Sequence, residues 1–242
     1  MAVDFAYVIS LISAFVAKLP YTLLIVVGCY AVAFVLAYLI LRVRVDRLPV
    51  LSALLDIYVS FVRCEPIVLL LFLIYFGLPQ LLFGFGIDIS SASKTAFACV
   101  TLVFFNAGWL SEILRGAYLS VTPDQFELAD SLGYSKGQLW RRTLLPQIIG
   151  IAIPDLGNAA VDLLKDTSLL YTIGMIDMMG LASIKVANNY GVHQSEVYLA
   201  VALVYWAAAL VIEAVIYLAK RSNRYYRVID ALSRDRTGIA RV

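Results

Sequence analysis

The sequence predicts an all-α integral membrane protein with five transmembrane helices, and three observations support this fold class. Hydrophobic residues make up 62% of the 242 residues, which is too many for a soluble globular domain. Apolar runs long enough to cross a bilayer alternate with short polar segments. Lysine and arginine are concentrated in every second connection, as expected of a multi-pass protein.

The first span is the charge-free run from Tyr21 to Leu41, whose 21 residues suffice for one crossing. Residues 5–17 are also apolar but too few to span alone. Met1 to Asp4 lack the basic flank of a cleavable signal. We therefore assign residues 1–20 to an extracytoplasmic segment, which either lies at the membrane interface or forms the outer turns of the first helix.

The second span is irregular. It begins near Pro49, carries Arg63 and Glu65, bends at Pro66 and continues to about Leu78.

The remaining apolar runs predict the third, fourth and fifth spans at residues 95–114, 143–164 and 197–219. A turn-rich loop at residues 77–94 precedes the third span. Pro154 should kink the fourth span. Residues 171–192 are mixed in character and should be partly helical, on the side opposite the polar loop described next.

The polar loop, residues 122–146, is the longest polar segment between spans. Thr122 to Gln125 have the pattern of a capping box, and Gly133 supplies a left-handed stop. Ser135 to Gln138 repeat the capping pattern, and a second helix should run to Pro146. We predict two short helices joined at a glycine at the membrane surface.

The distribution of lysine and arginine sets the orientation. Residues 42–47, 111–142 and 220–242 hold 14 of them, and the opposite connections hold 4. The N-terminus is therefore expected outside, with the polar loop and the C-terminus in the cytoplasm. The basic tail, residues 221–242, is a topology signal that also favours anionic lipid.

The polar loop carries a family resemblance. Glu127-Leu128-Ala129, Gly133 and Leu145-Pro146 resemble the EAA loop of ABC-transporter permeases, with Leu128 where alanine is commonest. Further segments are similar to permeases for polar amino acids: Asn106-Ala107-Gly108, Ile113 to Gly116, Pro146-Gln147, Pro154 to Asn158 and Leu164 to Leu169. The resemblance covers about residues 17–220. Arg63-Cys64-Glu65-Pro66 departs from the usual Arg-Gly-Thr-Pro.

The resemblance implies the permease subunit of a polar amino acid importer of the histidine, glutamine and arginine type, with a MetI-like fold. Residues 21–220 would form the permease domain in a bacterial inner membrane. A second permease subunit, identical or paralogous, would complete the path, and a solute-binding protein would deliver the amino acid. ATP and magnesium would bind an ATPase dimer, because this sequence has no G-x-x-x-x-G-K-[ST] motif.

The first helix of the polar loop is expected to couple the permease to the ATPase. Phe126, Ala129 and Leu132 recur at helical spacing and would enter an apolar groove on the partner. The coupling residues implied by the resemblance are Gln125, Phe126, Glu127, Ala129, Asp130, Leu132 and Gly133. A DNA-binding helix-turn-helix is disfavoured because acidic side chains crowd the first helix, so no nucleic acid is expected.

The fourth span carries polar residues at helical spacing, and these form one stripe. The expected substrate pathway comprises Arg63, Glu65, Asp155, Asn158, Asp162, Lys165, Asp166, Thr167 and Ser168. The stripe would offer acceptors to an ammonium group and a lysine to a carboxylate. Structural roles remain open: Asp162 or Asp166 could pair with Lys165, and Arg63 could satisfy the carbonyl freed by Pro66. If Glu65 faces the pathway, it favours cationic amino acids.

Other functions fit less well. A membrane enzyme lacks support, because there is neither a G-x-S-x-G nor an H-E-x-x-H motif, and a single histidine builds neither a triad nor a zinc site. The alternatives are an ion-coupled secondary transporter or channel that uses the carboxylates of the fourth span, and a membrane anchor that does not transport.

Overall fold

The computed structural model describes residues 4–121 and 124–227, and within these ranges it contains helices and no strands. The α-helices are α1 (Phe5–Val45), α2 (Pro49–Cys64), α3 (Ile67–Phe72), α4 (Leu78–Phe83), α5 (Lys94–Leu119), α6 (Asp124–Ser131), α7 (Lys136–Gln138), α8 (Leu145–Asp166), α9 (Met178–Asn188) and α10 (Gln194–Ser222). Two π-helices (Leu73–Gly77 and Leu139–Leu144) and a 3₁₀-helix (Thr167–Ile173) extend neighbouring α-helices.

Four helical stretches in the described ranges are long and apolar enough to cross a membrane: Phe5–Val45, Lys94–Leu119, Lys136–Ile173 and Gln194–Ser222. A fifth span results if α2 and the run Ile67–Phe83 are counted together, although they are bent by 112°. The bend lies at the predicted proline, because Pro66 cannot donate a backbone hydrogen bond and disfavours helical geometry at Glu65. Glu65 is accordingly extended, with φ −95° and ψ 138°.

The first helix begins at its cap, where the Asp4 carboxylate accepts a hydrogen bond from the Tyr7 N–H at 3.1 Å. It continues without interruption through Pro20 to Val45. Residues 5–20 are therefore the outer turns of α1, the second of the two arrangements that the sequence allows. Their extracytoplasmic placement stays a prediction.

Three apolar clusters hold the bundle together. The cluster near the polar loop joins α1, α5 and α8 through residues that include Ala37, Leu110 and Ile148. A middle cluster packs Leu102 against Leu163 and Leu164. An outer cluster packs Val8 and Phe15 of α1 against α9 and α10. Small residues at such contacts let membrane helices approach closely.

The second helix of the polar loop does not end at Pro146, so that prediction is wrong. The helix passes from α7 through the π-helix Leu139–Leu144 into α8, and Pro146 lies in the first turn of α8. An α-helical proline clashes with the carbonyl four residues earlier, and the wider π turn before Pro146 changes this geometry. The loop and the fourth span are consequently one continuous helical rod. That rod also runs unbroken through Pro154.

The mixed segment after the fourth span is partly helical, as predicted. Gly174 closes the 3₁₀-helix in the left-handed region, with φ 74°. Asp177 then caps α9 by accepting a hydrogen bond from the Gly180 N–H at 2.8 Å. Burial raises the pKa of Asp177, although hydrogen bonds from Gly180 and Tyr205 oppose the shift.

Candidate functional site

Helix α6 of the polar loop presents two different faces. Ala129 is buried, and Phe126 packs edge-on against Tyr118 with ring centroids 6.2 Å apart. Leu128 and Leu132 lie on the outer surface, 56% and 61% exposed. Of the three residues expected to enter an apolar groove on a partner, Ala129 is buried against its own chain, Phe126 is half-buried and Leu132 is exposed, so only Leu132 is fully presented; the coupling role of this helix stays a prediction.

The outward face of α6 combines apolar and acidic side chains. Leu128 and Leu132 are accompanied by exposed Glu127 and Asp130. This face is open to a partner. The spacing of apolar residues did not predict that Leu128 would be exposed and Ala129 buried. Hydrophobic spacing marks an apolar stripe without saying which neighbour covers it.

The turn after α6 has the predicted chemistry. Gly133 adopts φ 68°, in the left-handed region. The Ser135 hydroxyl accepts from the Gln138 N–H at 3.3 Å, and the Gln138 side chain accepts from the Ser135 N–H at 2.9 Å. This is the predicted second capping box. The first predicted box begins at Thr122 and Pro123, which lie outside the described residues.

The polar stripe of α8 lies on the outer surface of the chain. Asp155, Asn158, Asp162 and Lys165 are exposed, and Asp166 is half-buried. Charged side chains on a membrane helix face a cavity or another protein rather than lipid. The stripe is therefore the part of the outer surface that is least suited to contact lipid.

Some predicted pathway residues have partners within the chain. The Lys165 ammonium lies 3.0 Å from an Asp162 carboxylate oxygen, which is the structural pairing that the sequence left open. The buried Thr167 hydroxyl donates to the Leu164 carbonyl at 2.7 Å and lies 3.4 Å from the Tyr205 hydroxyl. Ser168 is half-buried beside it. Thr167 thus has a structural role at the end of α8.

Arg63 and Glu65 flank the bend at Pro66. An Arg63 guanidinium nitrogen lies 3.4 Å from a Glu112 carboxylate oxygen, and the guanidinium lies 5.7 Å from the Trp109 ring centroid. Arg63 therefore contacts α5. The sequence analysis had offered a different partner, the backbone carbonyl freed by Pro66. Glu65 is half-buried, and its carboxylate has no hydrogen bond or ion pair to any residue of 4–121 or 124–227.

Glu112 is the centre of an ion-pair cluster that the sequence did not reveal. Its carboxylate contacts Arg44, Arg63 and Arg115, and Arg44 also lies 2.7 Å from Asp56. A cavity of about 370 Å³ borders this cluster. The Glu112–Arg115 spacing was visible in the sequence, but Arg44 is 68 residues away and no local pattern connects it with Glu112.

Helices long and apolar enough to cross a membrane, a structured polar loop and a stripe of charged side chains on the outer surface are compatible with a membrane transport subunit. The chain belongs to the family described as binding-protein-dependent transport system inner membrane component, whose model matches residues 30–225.

Several relatives match over most of their length. The chain is 36% identical over 209 residues to the probable amino-acid permease protein YxeN of Bacillus subtilis, covering 86% of this chain and 91% of YxeN. It is 35% identical to the L-cystine transport system permease protein TcyL of the same organism, covering 88% of each. It is 33% identical to the probable amino-acid ABC transporter permease protein PatM of Vibrio harveyi, covering 93% of this chain and 99% of PatM.

Solved structures support the same family fold. The crystal structure of an amino acid ABC transporter with histidines matches with a TM-score of 0.78 at 25% identity, covering 91% of this chain and 99% of that one. An inward-facing MetNI methionine ABC transporter matches with a TM-score of 0.67 at 17% identity, covering 86% and 95%. The latter likeness concerns the fold alone.

Proposed function

We propose that this chain is the permease subunit of an ABC importer and carries a polar amino acid across the inner membrane. The observation that carries the proposal is the outward face of α6, which offers Leu128 and Leu132 on a chain whose sequence has no nucleotide-binding motif. ATP and magnesium bind a partner ATPase dimer in this proposal, and the chain itself is not an enzyme. The amino-acid class rests on the relatives named above.

Coupling follows from the two faces of α6. Its inner face is fixed to the bundle by Ala129 and Phe126, so a force applied to Leu128 and Leu132 moves the bundle with it. The outer face fits an apolar groove on the ATPase in helix-in-groove fashion. Gln125, Glu127, Asp130 and Gly133 complete the coupling region. ATP must bind the two states of the transporter unequally to drive the change.

The substrate path lies along the polar stripe of α8. A second permease subunit, identical or paralogous, covers this stripe, since charged groups on it cannot remain in lipid. Because Lys165 pairs with Asp162, the remaining carboxylates are those of Asp155, Asp166 and Glu65, which favour substrates bearing an extra positive charge. Asn158 adds neutral hydrogen-bonding capacity. Arg63 pairs with Glu112 through one nitrogen but is 49% exposed, which leaves further N–H donors for a substrate carboxylate.

The orientation proposed from lysine and arginine places the N-terminus outside and the polar loop and C-terminus in the cytoplasm. A solute-binding protein then delivers the amino acid to the outer face. The bent pair α2–α3 and the stripe of α8 form the polar region that meets each side of the membrane in turn.

The test is ATP-dependent uptake in lipid vesicles that contain this chain reconstituted with the ATPase and the binding protein with which it co-purifies. Labelled arginine, glutamine and cystine serve as probes. The double variant Glu127→Lys, Leu132→Asp should weaken ATPase binding at least tenfold, because apolar anchors dominate such interfaces. The control Val192→Asp changes a residue with similar exposure, 64%, far along the chain and should leave binding unchanged.

Two results would contradict the proposal. Normal ATPase binding by the double variant would exclude the outward face of α6 as the docking site. Uptake that survives ATP depletion and collapses with an uncoupler would favour the ion-coupled transporter, for which the carboxylates of Asp155 and Asp166 are the candidate sites.

A further inference from the structure

Five side chains from four parts of the chain converge beside the polar loop, and we refer to them as the Trp140 stack. They are Tyr38 and Arg42 of α1, Tyr118 of α5, Phe126 of α6, and Trp140 of the π-helix before α8. The stack is the place where α6 and the start of the fourth span both meet the membrane helices.

The geometry of the stack is specific. The rings of Tyr118 and Trp140 are parallel within 3°, with centroids 5.7 Å apart. Phe126 lies edge-on to Tyr118 at 83°, and Tyr38 lies edge-on to Trp140 at 79° with centroids 6.3 Å apart. Offset-stacked and edge-to-face arrangements are the favourable ones for aromatic pairs. Each ring is thus held in a fixed orientation by its neighbours.

Arg42 lies over the Trp140 ring. Its guanidinium carbon lies 4.2 Å from the ring centroid, within the range of a cation–π interaction. Its terminal nitrogens lie 3.4 Å from the Tyr38 hydroxyl and 3.4 Å from Asp46. The Nε atom is buried and has no hydrogen-bond partner among residues 4–121 and 124–227. Arg42 therefore contacts the Trp140 ring, Tyr38 and Asp46 at once.

The backbone at Trp140 is equally unusual. Trp140 is buried, 5% exposed, and belongs to the π-helix Leu139–Leu144. Short π segments inside helices frequently mark functional sites. This one lies between the capping box at Ser135 and the start of α8, so it is the part of the backbone that connects the polar loop to the fourth span.

We propose that the Trp140 stack is the mechanical joint that carries movement of α6 to α1, α5 and α8, with Trp140 as its positioning residue. This inference rests on the proposed function, because it requires a partner that moves α6. Phe126 receives the displacement, Tyr118 and Trp140 pass it on through stacked rings, and Arg42 delivers it to α1. Without the stack, α6 can still bind the ATPase, but only Ala129 and the Gln125–Gln147 hydrogen bond remain to carry its displacement, so less of the movement reaches α1, α5 and α8.

The test measures uptake and ATP hydrolysis together in the reconstituted complex, using whichever of arginine, glutamine and cystine the wild type imports. Trp140→Leu should keep most of the hydrolysis and lower the number of amino acids imported per ATP about tenfold, since both ring contacts and the cation–π contact are lost. Trp140→Phe retains an aromatic ring, so its number of amino acids imported per ATP should be close to that of the wild type. Tyr75→Leu removes an edge-on partner of Phe97 (centroids 5.4 Å apart) away from the loop and should leave the ratio unchanged.

Arg42→Gln is a second test, because it removes the cation–π contact and leaves every aromatic ring in place. It should lower the number of amino acids imported per ATP about threefold. If Trp140→Leu fails to assemble, the ratios of Trp140→Phe and Arg42→Gln decide the matter. A wild-type ratio in Arg42→Gln together with an equal loss of uptake and hydrolysis in the Trp140 variants would overturn the joint. Failure of the wild-type complex to import with ATP would instead overturn the proposed function.

Discussion

The Gln147 side-chain amide donates a hydrogen bond to the side-chain oxygen of Gln125 at 3.3 Å, joining α6 directly to the first turn of α8. The two residues are 22 positions apart: Gln125 lies near the start of the polar loop, and Gln147 directly follows its last residue. Together with Phe126 and the buried Ala129, this bond fixes the direction in which α6 presents Leu128 and Leu132.

Removing this bond should loosen α6 without unfolding the bundle. Gln147→Ala removes one partly buried hydrogen bond, worth about 0.5–1.5 kcal/mol. We expect faster backbone hydrogen exchange confined to residues 124–134, measured by mass spectrometry in detergent. Gln80→Ala, an exposed glutamine elsewhere, is the matched control. Unchanged exchange in α6 would show that Phe126 and Ala129 hold the helix alone.

The turn at Gly133 should tolerate no side chain without strain. Gly133 has φ 68°, and although a Cβ there would meet no atom within 4 Å, L residues rarely adopt this conformation. Gly133→Ala should therefore cost about 1 kcal/mol, seen as a lower thermal unfolding temperature. Gly137→Ala is the matched control. It also has open space, lies in helix α7 at ordinary φ, and should be neutral or slightly stabilising. Equal effects of the two variants would contradict the backbone argument.

Close packing of α8 on α10 depends on Gly157. A Cβ at this position would lie 2.6–2.8 Å from three side-chain atoms of Ile216. Gly157→Ala should destabilise the bundle by about 1–3 kcal/mol through overpacking, measured by thermal unfolding in detergent. Ile216→Ala in the same chain should restore part of the loss. Gly28→Ala, in open space within α1, should raise stability slightly.

The raised pKa of Asp177 predicts a dependence of stability on pH. Its cause is burial, which disfavours the charged carboxylate in the folded state. Stability from this group is therefore fully present below the unfolded pKa of about 4 and is lost as pH rises through the folded pKa. Asp177→Asn keeps a helix cap and should flatten this decline, because asparagine caps as well as aspartate.

Asp88 is the control, because its pKa is shifted in the opposite direction to that of Asp177. Its carboxylate accepts hydrogen bonds from Ser90, which lower its pKa. Asp88→Asn should therefore remove a contribution that is present above the unfolded pKa and lost as pH falls. Thermal unfolding is measured from pH 2.5 to pH 7, because the contribution of Asp177 declines above about pH 4 and that of Asp88 is lost below it. If the stability of Asp177→Asn falls with rising pH as steeply as that of the wild type, another group causes the decline.

Local chemistry made several features readable in advance. Pro66 predicts its bend because a proline restricts its own φ and the residue before it. Gly133 and Ser135 predict the turn after α6 because a left-handed φ and a capping box are properties of a few adjacent residues. The stripe of α8 follows from helical period alone.

Features that depend on distant neighbours were not readable. Pro146 signals a helix end, yet the π-helix before it lets the rod continue. The inward direction of Phe126 depends on Tyr118, and the Glu112 cluster depends on Arg44. These contacts are set by how the helices pack, which no local window of sequence contains.

Helix α1 belongs to more than one cluster, and Pro20 lies at the boundary. Phe15 packs in the outer cluster with α9 and α10, whereas Ile25 packs in the middle cluster with α5 and α8. Proline leaves one helical carbonyl without its usual donor, so the turn at Pro20 is softer than those around it. Helix α10 joins the same two layers without a break, with Val201 in the outer cluster and Ala208 in the middle one, so a tilt of the outer layer requires α10 to bend as well as the turn at Pro20.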